Sequence, residues 1–167
     1  ADCMYAGIMI DTNNFVSRTG VRTFEAAAFL RRCGADITRV RKMFRDDMES
    51  YRAKAEAMRR AEVYREEYAI AQCPGDIDSP TVLAAQTANE LLDISGIKAS
   101  FVLTVYEGKI YMSARSIDEV NVQIIAEKLG GGGHINSAGA QFDHTNIEEA
   151  VNALKETIDK MIEEGDI

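Results

Sequence analysis

Four consecutive glycines and a histidine, Gly130-Gly131-Gly132-Gly133-His134, are the residues of this chain best suited to chemistry, and Ile135-Asn136-Ser137-Ala138-Gly139 follows directly. Glycine lets successive backbone N–H groups point into one concavity, and such a nest binds anions such as phosphate. His134 beside it can donate a hydrogen bond, carry a charge, or act as acid or base. No Lys-Ser/Thr pair follows the glycines, which excludes a P-loop, and a dinucleotide turn would open a helix directly after a strand. The plain alternative is a glycine that stops a helix, followed by a flexible loop. One glycine suffices for that stop, and each further one costs roughly 0.5–1 kcal/mol relative to alanine. The balance favours a functional nest.

Arg115 closes the segment Ser113-Ala114-Arg115-Ser116, where it can present a two-pronged fork to phosphate. Its plain alternative is a surface arginine paired with Asp118 or Glu119. Asp11 follows an apolar run that reads as a strand, and α/β sites collect at the carboxyl ends of strands. A carboxylate there suits a hard or borderline divalent cation, whereas the plain reading is a turn-stabilising aspartate. The only histidines are His134 and His144, and no Asp-His-His triplet occurs. His144 reads as a solvated turn residue.

The elements that must position these groups are visible in outline. Met4 to Ile10 predicts a buried strand, and Asp11 to Asn14 a turn. Thr23 predicts the cap of a helix over Phe24 to Arg32, stopped by Gly34. Asp36 then caps a long helix from Ile37 to Glu66, whose stripe Val40, Phe44, Met48, Tyr51, Ala55, Met58 is spaced for packing, with Glu56 and Arg60 on the solvated side. At roughly 30 residues it exceeds the usual globular helix and suits a connector between domains. Beyond it the pattern is α/β. Tyr68 to Cys73 predicts a strand, and Pro74, Gly75 and Asp78 a loop. Ser79 and Pro80 then open a helix to Leu92. Strands over Ala99 to Tyr106 and Lys109 to Arg115 meet at Glu107-Gly108. A helix capped by Asp118 runs to Leu129, a strand covers Ser137 to Phe142, and a capping box at Thr145 to Glu148 opens a last helix to Glu163.

Composition bounds the rest. The chain has 167 residues, 46% hydrophobic and 28% charged, which excludes wholesale disorder. No apolar run is long enough to span a bilayer, so no membrane contact is expected of this part. Nineteen Lys and Arg against 27 Asp and Glu give a net charge of -8, against binding along a long duplex nucleic acid. A small nucleotide needs only a few local cations and stays open. Three scattered cysteines with no CxxC pair suit a reducing, cytoplasmic setting. With no initiator Met and a strand-like run at the outset, an excised part of a longer protein is expected.

These residues combine into a known pattern. Ala6 to Phe15, then Arg18-Thr19-Gly20 and Arg22 to Ala27, resembles the last block of the DHH-family phosphoesterase domain. Gly130 to His134 with Asn136, Ser137, Ala138 and Gly139 resembles the signature of the DHH-associated C-terminal (DHHA1) domain, and Arg115 falls where that domain places a substrate-contacting arginine. Within the family the wording is most similar to cyclic-di-AMP phosphodiesterases of the GdpP type. The resemblance implies an α/β fold: residues 1–35 as the end of a DHH domain, 36–67 as a helical linker, and 68–167 as a compact DHHA1 domain with a small mixed sheet flanked by helices. It implies Arg115, Gly131, Gly132, Gly133, His134 and Asn136 as substrate-binding residues and Asp11 as the last ligand of a two-ion Mn²⁺ site. The other ligands are absent from this sequence, so the chain by itself is expected to be inactive. The implied function is the nucleotide-binding C-terminal portion of a phosphodiesterase converting cyclic di-AMP to pApA, in a parent anchored to a membrane through segments absent here. An oligoribonuclease or 3′,5′-bisphosphate nucleotide phosphatase of the same superfamily, or a non-catalytic nucleotide-binding module, are the alternatives. The partners implied are a cyclic dinucleotide or short linear oligonucleotide, with a homodimer left open.

Overall fold

The run from Met4 to Ile10 is helical, where the sequence predicts a strand. It forms most of α1 (Asp2–Asp11) in a computed structural model that describes residues 1–117, 119–143 and 145–167. A short apolar run is ambiguous by periodicity alone. A strand here would need an edge to pair with. The compact unit that holds it, Ala1–Asp47, contains only helices among its described residues. A helix satisfies its own backbone groups. Asp2 complements the N-terminal end of the α1 dipole and accepts hydrogen bonds from the Asp36 N–H at 2.8 Å and Arg39 Nε at 2.6 Å. The Arg39 hydrogen bond, then the Asp36 backbone, hold its carboxyl down to about 2. Those bonds tie α1 to the head of α3 (Ile37–Met43), which Asp36 caps as expected. Between them α2 spans Val21–Arg32. Its cap is Gly20 rather than Thr23, whose hydroxyl instead accepts the Gly20 N–H at 3.3 Å from the third helical position.

The single helix predicted from Ile37 to Glu66 is broken. α3 ends at Met43, α4 covers Met48–Arg59, and β1 follows at Glu62–Tyr64. Asp46 and Asp47 lie in the break, where aspartate competes with the helical backbone and favours the position before a helix start. The expected packing stripe fails with it. Val40 is buried, but Phe44, Met48 and Tyr51 are 39%, 64% and 60% exposed. The interruption resets the phase, so α4 buries Lys54 and Ala57 instead. Lys54 keeps its charge paired with Glu90 at 2.7 Å.

The second unit, Met48–Ile167, is built on a six-stranded sheet of order β1-β2-β3-β4-β6-β5. β2 (Tyr68–Cys73) and β3 (Ala99–Tyr106) are parallel, joined through α5 (Pro80–Leu91). β4 (Lys109–Ser116), β5 (Gly132–His134) and β6 (Ser137–Phe142) add antiparallel pairs. The Glu107-Gly108 turn takes the two positive φ values, 50° and 75°, of a primed hairpin. On one face, Phe101, Leu103, Met112 and Ala114 pack with α6 (Val122–Lys128) and α7 (Ile147–Glu164). Leu154, Ile158 and Met161 of α7 are wholly buried there, each contributing about 1.5–3 kcal/mol of transfer free energy. On the other face α4 and α5 cover Ala69, Ala71, Cys73 and Val102.

Two caps shift by a few residues. α6 opens on Asn121, whose side chain accepts the Gln123 N–H at 3.1 Å. The capping box of α7 is Asn146 with Glu149, one residue later than predicted. Asp118, expected as a cap or as the partner of Arg115, and His144, expected in a turn, lie outside the described residues.

Candidate functional site

The four glycines do not form a loop. Gly130, at φ +81°, ends α6, and the Gly131 N–H returns to the Ala126 carbonyl at 2.8 Å. The next three residues are β5, an edge strand laid on β6. Three of the glycines answer to the protein's own backbone. A Cβ on Gly131 would overlap the Gly139 carbonyl and come within 2.6 Å of Ala140 Cα. One on Gly133, at φ +148°, would sit 2.5 Å from both Ser137 O and Ala138 Cα. Gly132 is different. A Cβ there would meet nothing within 4 Å.

Register brings the predicted residues together. Arg115 of β4 pairs with Ser137 of β6, and Ser137 pairs with His134 of β5. Ser113, Gly139 and Gly132 form the next row, and Tyr111 with Gln141 the one after. Directly paired residues share a face, so these side chains lie on one side of the sheet. It is the α5 side, because Arg115 and Ser113 pair onward with Ser100 and Val102, and Ser100 Oγ donates to the Ala88 carbonyl at 2.6 Å. The result is a shallow trough with α5 as one wall, β5 as its far rim, and a floor of Ser113, Gly139 and Gly132.

Arg115 and the turn at Asn136 are held by hydrogen bonds. Arg115 is half-buried, with Nε donating to Asn89 Oδ1 of α5 at 3.1 Å and another guanidinium nitrogen to the Ala114 carbonyl at 2.8 Å. His134 is exposed at the rim. Asn136 lies in the β5–β6 turn, which is fastened on two sides. Its carbonyl accepts the Ser116 N–H at 3.2 Å, and the Ile135 carbonyl accepts the Val122 N–H at 3.0 Å. A guanidinium, a hydroxyl and an imidazole thus stand in one row across three strands spaced ~4.8 Å apart. That is a donor set for an anion, since Arg supplies charge-assisted bonds.

Sequence reading missed Ser113, Tyr111 and Asn89. The alternating burial of β4 shows that Tyr111 and Ser113 share the face of Arg115, so period-two spacing held that signal. Asn89 had none, because its role exists only once α5 crosses β4. Asp11 ends a helix rather than a strand and is exposed. Among the described residues no group of three or more His, Cys, Asp or Glu could hold a metal ion, so the donors present do not fit a two-ion centre. No helix of the described residues is long and apolar enough to cross a membrane. A separate hollow of about 300 Å³ between α4 and β2 is lined by Glu56, Arg60 and Cys73. Burial pushes the Cys73 thiol up, which makes it a poor nucleophile.

Comparison with known proteins gives the family. Residues 66–164 match the family described as the DHHA1 domain. The chain is 44% identical over 168 residues to the cyclic-di-AMP phosphodiesterase GdpP of Geobacillus thermodenitrificans (strain NG80-2), covering 99% of this chain and 25% of that protein. It is 41% identical over 160 residues to the cyclic-di-AMP phosphodiesterase PdeA of Listeria monocytogenes serotype 1/2a (strain 10403S), covering 95% and 24%. It therefore spans about a quarter of the length of these relatives. The crystal structure of an exopolyphosphatase-related protein from Bacteroides fragilis has the same fold, with a TM-score of 0.83 and 22% identity over 96% of this chain and 49% of that one. With the match running from the β1–β2 turn to the last residue of α7, the chain belongs to the DHHA1 domain family.

Proposed function

We propose that this chain is the substrate-binding part of a phosphodiesterase that hydrolyses cyclic di-AMP to pApA, and that the trough holds the nucleotide phosphates. The observation that carries this reading is the row Arg115–Ser137–His134 beside Gly132, the one glycine of the four that has neither a positive φ nor a backbone atom where a Cβ would stand. A phosphate on that row takes hydrogen bonds from the guanidinium, which Asn89 and Ala114 already hold in position. Gly132 lets a phosphate oxygen come close to backbone, and an edge strand keeps one row of N–H groups outside the ladder. Gly131 and Gly133 set the shape of that edge, and Asn136 adds an amide at the turn. The identity to proteins named as cyclic-di-AMP phosphodiesterases supports the choice of substrate.

In this reading residues 1–35 end a catalytic domain, 36–67 connect, and 68–167 bind the nucleotide in the cytoplasm. The manganese ions of hydrolysis are held mainly by residues outside this chain, with Asp11 as its single contribution. The test is titration of the full chain with cyclic di-AMP and with pApA, followed by backbone amide shifts and calorimetry. Amides from Gly131 to Asn136 should move, and Arg115→Ala and His134→Ala should each weaken binding by roughly 1–3 kcal/mol. Still amides at saturation, or unchanged affinity in both variants, would refute the reading.

A further inference from the structure

We propose that Tyr111 is a stacking platform for a nucleobase of the same dinucleotide, at the opposite end of the trough from Arg115. This rests on the phosphate-row reading and extends it. Tyr111 and Arg115 lie on one face of β4 four residues apart, which is ~13 Å along a strand. That span is too long for one phosphate to touch both and suits a nucleotide with a base beyond its phosphate. Between the two ends stand only Ser113, Gly139 and Gly132, so the floor carries no bulky side chain. A planar ligand can lie along it. Tyr111 is half-buried and is propped by Tyr106 of β3, whose ring centre lies 6.1 Å away at an interplanar angle of 57°. Beside it on β6, Gln141 is exposed, and with its Nε2 donating to Asp143 Oδ1 at 3.0 Å it turns its amide oxygen to accept from the edge of a base. On the α5 wall, the helix side marked by Asn89 continues two turns back to Val82, an apolar residue left 55% exposed. An aromatic face, an amide and an apolar wall at one end, with the Arg115 guanidinium and the His134 imidazole at the other, match the two halves of a nucleotide. Every base has a π-face, so this end adds affinity with little selection between bases.

The simpler role for Tyr111 is to pack the β3–β4 hairpin against Tyr106, and the experiment separates the two. Tyr111→Ala and Tyr111→Phe are titrated in the full chain with pApA and with inorganic pyrophosphate, which has no base. Tyr111→Ala should weaken pApA about tenfold, within the range of base–aromatic stacking, and leave pyrophosphate unchanged, while Tyr111→Phe retains binding. The Tyr111 ring protons should shift upfield with pApA and not with pyrophosphate. If Tyr111→Ala binds pApA as the parent chain does, or weakens both ligands equally, the platform is refuted. If Arg115→Ala weakens pApA in that same series, the phosphate row survives this failure. If pApA does not bind the parent chain, or Arg115→Ala and His134→Ala leave it unchanged, the row falls and the platform with it.

Discussion

Alanine substitutions through the glycine run should separate residues that serve the fold from the one that serves a ligand. At Gly131 the added carbon collides with the Gly139 carbonyl and lies 2.6 Å from Ala140 Cα, both backbone atoms of β6. Neither can yield without shifting the strand, and such overpacking costs about 1–3 kcal/mol. Gly133 adds backbone strain, since its φ of +148° is one that L side chains rarely adopt. A further 1–3 kcal/mol or so is expected from that term. Gly132→Ala meets nothing within 4 Å. Reduced freedom of the unfolded chain should leave it neutral or stabilised by about 0.4–1 kcal/mol. For a domain of this size one kcal/mol moves the melting temperature by roughly 3–6 °C. Thermal unfolding by circular dichroism should therefore place Gly131→Ala and Gly133→Ala well below the parent, with Gly132→Ala at or slightly above it. Calorimetry with pApA should show the reverse order of interest: the stable Gly132→Ala variant binds more weakly. A Gly132→Ala protein that melts as low as the others, or binds pApA as tightly as the parent, would refute this division of roles.

Three further outcomes are expected. Replacing Asp2 with Asn should remove part of the acid sensitivity of the first unit. The Asp2 carboxyl sits at about 2 against an ordinary 3.8, so its contribution is complete above 3.8 and disappears as pH falls toward 2. Chemical shifts of the Asp36 and Arg39 N–H groups, followed from pH 6 downward, should report that window in the parent and none in the variant. Asn146→Ala removes the side chain that accepts the Glu149 N–H at 2.9 Å and should cost about 1 kcal/mol, read as a lower urea midpoint with unchanged slope. The chain alone should not turn over cyclic di-AMP with added manganese, since binding a phosphate does not create a nucleophile. Manganese-dependent pApA release from nuclease-free protein would contradict this.

What the sequence made legible follows from where each signal resides. β2, β3 and the β3–β4 turn could be read because local propensity and turn chemistry agree there, and Tyr68–Cys73 is a strand over the full predicted range. β5 could not, since Gly132 and Gly133 carry no side chains and so no alternation to read. The glycine motif identified the residues of the site but not their extended shape. β1 was hidden for another reason. Arg65 and Glu66 make its turn at φ 50° and 66° without the usual glycine or asparagine. What holds it is distant: Tyr64 and Arg65 both bond Asp159 of α7, and Lys155 reaches Glu62 at 2.7 Å. The break after Met43 was missed because the apolar spacing on either side stays in helical phase across it. Arg115 was found as a residue type, but its neighbours Ser137 and His134 became its neighbours only through strand register.

Both borders of the sheet, β1 and β5, are three residues long. A border that short offers an incoming strand only a few backbone hydrogen bonds, too few to seed a continuous sheet between molecules. One border is Gly132-Gly133-His134, two of whose three residues bury no side-chain area against a partner. The other carries Glu62, already engaged by Lys155. Growth of the sheet from copy to copy is therefore blunted at both ends, a safeguard against the fibrous association that exposed strands invite. The glycine border thus offers backbone N–H groups to a small molecule rather than side-chain surface to another strand.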